Sequence, residues 1–415
     1  MNERVEEKVV LPKLRFPEFR NASYRVADAG QYFTTVNERN TEGGLPILAI
    51  TQEQGAVPRD SIDYSVAVTD ASLATYKVVR KGDFIISLRS FQGGIERSAY
   101  TGVCSPAYII LRATRDLEAE FYRHYFKAPA YIAQLNHELE GIRDGKMISY
   151  SQFARIPLPM PIVAEQRKIA DCLQSLDELI AAQSEKLEAL KRHKKGLLQQ
   201  LLPAEGESTP RLRFPQFRGD TEWRLTDLRS VANISSGTTP PRSNKEYFEG
   251  GTIPWVKTMD LNNSQIRSTH ERVTKASGVK VNPAGSVLVA MYGGFNQIGR
   301  TGLLTKPSAT NQAIAVLTPK LGEVTSAYLL LWLNANVDMW KRVAASSRKD
   351  ANITSGDVAS FSITLPQSEE EQNAIGEAIG TVTEAVSEAY LYIEELRTHK
   401  AALMQQLFPR VAESD

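Results

Sequence analysis

The sequence is written twice, and this repetition limits the fold more than any other feature of the chain. The string PKLRFPEFR at Pro12–Arg20 returns as PRLRFPQFR at Pro210–Arg218, an offset of 198 residues. Each half also ends on a matched segment, Glu165–Pro203 in the first and Glu371–Pro409 in the second, at an offset of 206. This second offset does not drift: Gln166 matches Gln372, His193 matches His399, Gln199 matches Gln405 and Pro203 matches Pro409. The difference between the offsets is therefore absorbed between the matched strings, roughly over 24–161 and 223–366. One part of each half is length-locked and the other is free to vary.

The closing segments read as helices. Ile169, Leu173, Leu176, Ile180, Gln183, Leu187, Leu190, Lys194, Leu197 and Leu201 step by alternate fours and threes, which is the seam of a coiled coil. Ile375, Ile379, Val382, Val386, Ala389, Ile393, Leu396, Lys400, Leu403 and Leu407 repeat that register. Neither segment has an internal proline and each stops at one, Pro203 and Pro409. A rod of ~55 Å with one apolar stripe needs a partner in water. Equal length makes each rod the natural partner of the other. Charge agrees: Glu369–Pro409 carries eight acids against two bases and Glu165–Pro203 six against seven, so pairing the second rod with a copy of itself is repulsive. Lys194 and Lys400, inside the seam, are expected to snorkel outward.

The segments between are mixed. FIISLRS at Phe84–Ser90 and VLVAMYG at Val287–Gly293 are β-rich runs, each introduced by a turn, and are followed by AYIILR from Ala107 and AIAVL from Ala313. Helical stretches follow near Glu118–Leu139 and Ser326–Val343. The 415 residues exceed one ordinary domain. The expected division is 1–161, a first α+β domain with its N-terminal arm; 162–209, a central helix and linker; 210–366, a second α+β domain; and 367–415, a C-terminal helix and tail.

Several chemistries lack their residues. Cys104 and Cys172 match no metal or redox spacing and the five histidines are scattered; no metal is expected. No run reaches the ~18 apolar residues of a membrane span, and the charged start points to a reduced, cytoplasmic protein. A phosphate loop fails because Glu140 stands where its first glycine belongs, before Gly145-Lys146. No methylase or nuclease string occurs, so a catalytic centre is not expected.

Nucleic acid is better supported. The net charge is only +1, but Arg211–Pro366 holds 19 Lys and Arg against 11 Asp and Glu, whereas Tyr24–Arg155 is balanced at 15 each. The second domain is distinctly basic. Arginine suits guanine and phosphate, and Asn or Gln suits adenine. Polar side chains in glycine-rich loops beside strand ends, where a duplex can approach, are Arg89, Ser90, Gln92, Arg97, Arg143 and Lys146 in the first domain. In the second they are Arg242, Lys257, Tyr292, Asn296, Gln297, Arg300, Arg348 and Lys349. Arg143 and Arg348 each stand five residues before an isoleucine, Ile148 and Ile353, which suggests a shared phosphate-clamping role. A scaffold whose rods only assemble partner proteins is the competing reading.

The duplicated LRFP openings, SLRSFQGGIERSAYTG, SPAYIILR, GIRDGKMISYSQFARIPLPMP, SGTTPPRSNKEYFEGGTIPWVKTMDLNN, YGGFNQIGRTGLL, NQAIAVL and the twin EQ helix starts together resemble specificity subunits of type I restriction-modification systems. The similarity runs from about Pro12 to Pro409, with Tyr24 standing where a tryptophan like Trp223 is expected. It implies an α+β fold of two target-recognition domains separated by two long antiparallel coiled-coil helices, with an internal pseudo-twofold repeat. It also implies a non-catalytic subunit in which each domain reads one half of a bipartite site in double-stranded DNA. The implied partners are two modification subunits, which bring S-adenosylmethionine and methylate adenine, and restriction subunits. No cofactor is implied in this chain.

Overall fold

The computed structural model describes residues 11–39, 44–51, 54–62, 73–87, 94–114, 117–139, 148–294, 296–345 and 352–409. The chain forms two compact units, one from residues 1–185 and 390–415 and the other from residues 186–389.

In the first unit the strands are β1 (Tyr24–Asp28), β2 (Phe33–Val36), β3 (Leu48–Thr51), β4 (Gly55–Pro58), β5 (Lys77–Val79), β6 (Phe84–Ile86), β7 (Ile95–Arg97), β8 (Gly102–Cys104), β9 (Ile109–Ala113) and β10 (Pro157–Pro161). A four-stranded sheet has the order β2-β9-β6-β7, and β1 pairs separately with β10. Strand β6 shows why the sheet forms here. Gly82, at φ +97°, makes the turn before it, a conformation that side chains resist. Phe84 and Ile86 then face one core and Ile85 another, the period of two that a sheet covered on both faces requires. The larger core gathers Phe33, Phe84, Tyr122, Phe126 and Phe153, with Phe33 set edge-on to Phe84 and Tyr122. Helices α1 (Ala119–Tyr125), α2 (Pro129–Leu139) and α3 (Tyr150–Phe153) complete this layer.

The second unit repeats the plan. Its strands are β11 (Arg224–Asp227), β12 (Ala232–Ser236), β13 (Ile253–Val256), β14 (Gln265–Ile266), β15 (Glu271–Val273), β16 (Val281–Asn282), β17 (Val287–Ala290), β18 (Thr301–Leu304), β19 (Ser308–Thr310), β20 (Ile314–Pro319) and β21 (Ser362–Leu365). The orders are β12-β20-β17-β18-β14 and β15-β13-β19-β16, with β11 paired to β21 as β1 is to β10. Gly285, at φ +84°, introduces β17, whose Val287 and Val289 face one core while Leu288 and Ala290 face another. The expected helix over 326–343 is broken in two, Ser326–Ala335 and Val337–Ala345, because Asn336 caps the first at φ −109°. The stretch over 118–139 likewise splits before Pro129, which occupies the first position of α2.

The length-locked segments are helices of 39 residues each, Val163–Leu201 and Glu369–Leu407. We call them the central and C-terminal helices. No seam residue is exposed. In the first unit Ile169 and Leu173 share a core with Met404, Leu407 and Phe408; in the second Leu201 and Leu202 share one with Ile375 and Ile379. Start packs with end in both, so the helices are antiparallel. Lys400 departs from the expectation of outward snorkelling: its Nζ pairs with Asp177 Oδ1 of the central helix. Lys194 is half-buried, and desolvation pulls its ammonium below the usual range. Among the described residues no helix is long and apolar enough to cross a membrane.

The repeated motifs meet at the helix starts. Arg15 of the first LRFP donates Nε and Nη2 to the two carboxylate oxygens of Glu165, both at 2.7 Å. Arg213 of the second donates to Glu371 at 2.6 and 2.7 Å. Each glutamate is the third residue of its helix, where the macrodipole favours an anion. The adjoining glutamines fasten each domain to its helix. Gln166 donates to the Pro161 carbonyl and accepts from Glu118 N, and Gln372 donates to the Pro366 carbonyl and accepts from Thr325 N.

Candidate nucleic-acid interface

Strand register in the second unit brings one set of loops to one end of its sheets. Lys257 follows β13, whose last residue, Val256, accepts from Asn311 N at 3.0 Å. Gly237 to Thr239 follow β12, where Thr238 N donates to the Thr310 carbonyl and the Thr239 hydroxyl donates to Gln312 Oε1. Tyr292 follows β17, held by Met291 N donating to the Ala313 carbonyl at 2.8 Å. Arg300 precedes β18, where its carbonyl accepts from Ala290 N. The ends of β12, β13 and β17, the start of β18 and the turn between β19 and β20 therefore present Thr239, Lys257, Tyr292, Arg300 and Gln312 on one side.

Within this cluster Glu271 is the hub. Its Oε2 lies 2.7 Å from Arg242 Nη1, and its Oε1 pairs with Lys257 Nζ. Arg242 sits 4.7 Å from the Phe248 ring centroid and 5.2 Å from that of Trp255, within cation–π range. Arg242 and then Lys257, both paired with it, hold the Glu271 carboxyl below its ordinary range, so it stays anionic. Next to it Asp260, buried, accepts from Lys257 N at 2.8 Å and from His270 N at 3.2 Å, and it also pairs with His270 Nδ1. A short ladder of alternating charge thus runs from Arg242 through Glu271 to Lys257. Its net charge is positive.

Of the residues expected to touch nucleic acid, Arg242, Lys257, Tyr292, Asn296, Gln297 and Arg300 are in this unit's described part. Tyr292 and Asn296 are exposed, and Arg300 Nη1 donates to Gln297 Oε1 at 2.9 Å. Arg97, at the end of β7 in the first unit, is held by Glu120 at 2.5 Å with its side chain 17% exposed. Arg89, Ser90, Gln92, Arg143, Lys146, Arg348 and Lys349 lie outside the described residues. Sequence reasoning missed Phe248, Trp255 and Glu271. An isolated acid in a basic domain carries no signal of its own, and what recruits it is the pairing of Trp255 with Glu271 across β13 and β15.

A model of the type I restriction modification DNA specificity domain matches the chain at residues 26–192 and again at 220–390. The chain belongs to this family. Among the DNA specificity proteins it resembles is the EcoR124I/EcoR124II specificity subunit of Escherichia coli, 23% identical over 281 residues, 65% of either chain. Another is the MjaIX specificity subunit of Methanocaldococcus jannaschii, 24% identical over 176 residues, 38% of this chain and 40% of that one. The chain thus spans just under two thirds of the first relative and less than half of the second. In fold it is similar to the S subunit from M. genitalium, with a TM-score of 0.65 at 14% identity over 97% of this chain and 100% of the other. It is also similar to a chain from a structural account of type I R-M complex assembly and conformational transition, with a TM-score of 0.56 at 19% identity over 96% and 100%. For a type I specificity domain, two matched copies in one chain account for the duplicated strings from which the sequence was first divided.

Proposed function

We propose that this chain is a sequence-specific DNA-binding specificity subunit of a type I restriction-modification complex, and that each unit reads one half of a bipartite site. The observation that carries the reading is the two-copy match to a DNA specificity domain. The basic end of the second unit supports it, with cations and amide side chains gathered at strand ends as groove recognition demands. Arg89, Ser90, Gln92, Arg97, Arg143 and Lys146 serve the first half-site in this reading, and Arg242, Lys257, Tyr292, Asn296, Gln297, Arg300, Arg348 and Lys349 serve the second. The helices set the spacing and dock two modification subunits, which supply S-adenosylmethionine and methyl transfer, and restriction subunits add to that assembly in the cytoplasm. The chain itself carries out no catalysis.

The test is to express the full chain with its modification subunits and sequence the methylated positions of the host genome. Two short unlike half-sites with an unread gap are expected. Exchanging residues 223–366 for those of a relative should change one half-site and leave the other. Methyl transfer by the purified chain alone, or alteration of both half-sites by the exchange, refutes the reading.

A further inference from the structure

Arg242 combines exposure with constraint. Its side chain is 56% exposed, yet its guanidinium is fixed by Phe248, Trp255 and Glu271. The platform is itself rigid: the two rings meet at 61° with centroids 5.9 Å apart, and Trp255, 1% exposed, donates Nε1 to the Thr238 carbonyl at 3.3 Å. Ordering a long side chain on binding costs conformational freedom, and a group ordered beforehand has already met that cost.

Glu271 is the unexpected member. A carboxylate between two cations weakens a phosphate clamp, because phosphate is drawn by bare positive charge and repelled by the acid. A base edge is uncharged, and for it the direction of the donors decides. Glu271 engages Arg242 through Nη1 and leaves the Nε–Nη2 edge of the fork, two parallel donors that match N7 and O6 of guanine. An acid that aims an arginine and dilutes the local charge suits base reading and penalises backbone binding.

We propose that Arg242 reads a guanine in the half-site of the second unit, and that Glu271 is a specificity-determining positioning residue that aims it. This rests on the reading above that the second unit meets DNA. The experiment uses the full chain assembled with its modification subunits, as wild type, Arg242→Lys, Arg242→Ala and Glu271→Gln. Two quantities are read: the sequences methylated in the host genome, and the salt dependence of binding to the site so found. Wild type should show a required guanine at one position of one half-site. Arg242→Lys keeps the charge and loses the fork, so discrimination at that position should fall by about 5- to 150-fold with the salt slope unchanged. Glu271→Gln should relax the same position, with a slope equal to or steeper than that of wild type. Retention of every other read position is the check on folding. An Arg242→Lys methylome identical to wild type overturns the assignment. So does a uniform loss across sites in Arg242→Ala with the slope reduced by about 0.9, the mark of one phosphate contact. Loss of all methylation in Glu271→Gln makes that residue structural and overturns its positioning role, leaving Arg242→Lys to decide the arginine. A wild-type complex with no defined site refutes DNA reading by the chain as a whole, whereas a defined site indifferent to both variants refutes the guanine assignment alone.

Discussion

Lowering the pH from 7 to 5 should weaken the first unit through one histidine. His124 lies on α1, 2% exposed, with Nε2 3.1 Å from Arg123 Nη2 and Nδ1 3.9 Å from Asp177 Oδ2. Arg123 and Lys400 both pair with that aspartate. Burial, then the charges of Arg123 and Lys400, push the His124 pKa from 6.5 down to about 3 against the weaker pull of Asp177. The folded imidazole therefore stays neutral throughout this window, whereas the unfolded one takes up a proton below 6.5. The unfolded state binds more protons, so the stabilisation is complete above pH 6.5 and is lost as pH falls towards the folded value. At pH 5 the loss is about 2 kcal/mol, from 1.5 units at about 1.4 kcal/mol each. Asp177, against its own desolvation, is held below its usual range by Lys400 and Arg123, so its titration falls beneath the window. All four tryptophans, Trp223, Trp255, Trp332 and Trp340, belong to the second unit. Urea unfolding of the first unit is therefore followed by tyrosine absorbance, with tryptophan fluorescence as the internal control. His124→Gln, neutral at every pH, should flatten the wild-type dependence between pH 7 and 5 by that amount. Parallel pH dependences of the two proteins would refute the argument.

Three further outcomes are expected in the second unit. Arg213→Leu leaves Glu371, 1% exposed, as an uncompensated buried charge and should cost about 3–5 kcal/mol by urea unfolding; adding Glu371→Leu should recover much of it, and strict additivity of the two losses would contradict the pairing. Gly299→Ala puts a Cβ 2.9 Å from Trp340 Cδ1 at φ +77°, and a loss of about 1–3 kcal/mol, read as a lower melting temperature, is expected. Tyr328→Phe removes the 2.7 Å hydrogen bond to the Thr364 carbonyl and should cost about 1–3 kcal/mol, a value that hydrogen exchange along β21 can localise.

The length-locked helices were legible because periodicity and proline stops act locally. The expected span from Glu165 to Pro203 is observed as Val163–Leu201, shifted by a single half-turn. The β6 and β17 strands were legible for a similar reason, since buried apolar runs after a glycine turn admit few alternatives. What stayed hidden depends on partners distant in sequence. Lys400 meets Asp177 across 223 residues, so a lysine read as snorkelling is an ion-pair member. The parallel pairing of β13 with β19, which carries Lys257 to the same end as Gln312, has no local signature. For the candidate site, arginines in glycine-rich loops could be named from the sequence. The aromatic rings and the carboxylate that orient Arg242 could not, because strand register alone makes them its neighbours.

The duplication separates two requirements. Residues repeated between the halves seat a domain on its helix: Arg15 with Glu165 and Arg213 with Glu371, Gln166 and Gln372 on their proline carbonyls, and Tyr122 and Tyr328 donating to the carbonyls of Pro159 and Thr364. The platform under Arg242 is not repeated, since the first half contains no tryptophan at all. Nor is the Lys400 pair, because Thr383 stands at the place matching Asp177 and Lys194 at that matching Lys400. A shared seat with unlike faces is what two readers of different half-sites require: the seat fixes where each face is presented, and substitutions on the face leave that geometry alone. Under the proposed function, specificity can then change one domain at a time, because the buried ion pair at each helix start must be satisfied whatever sequence is read.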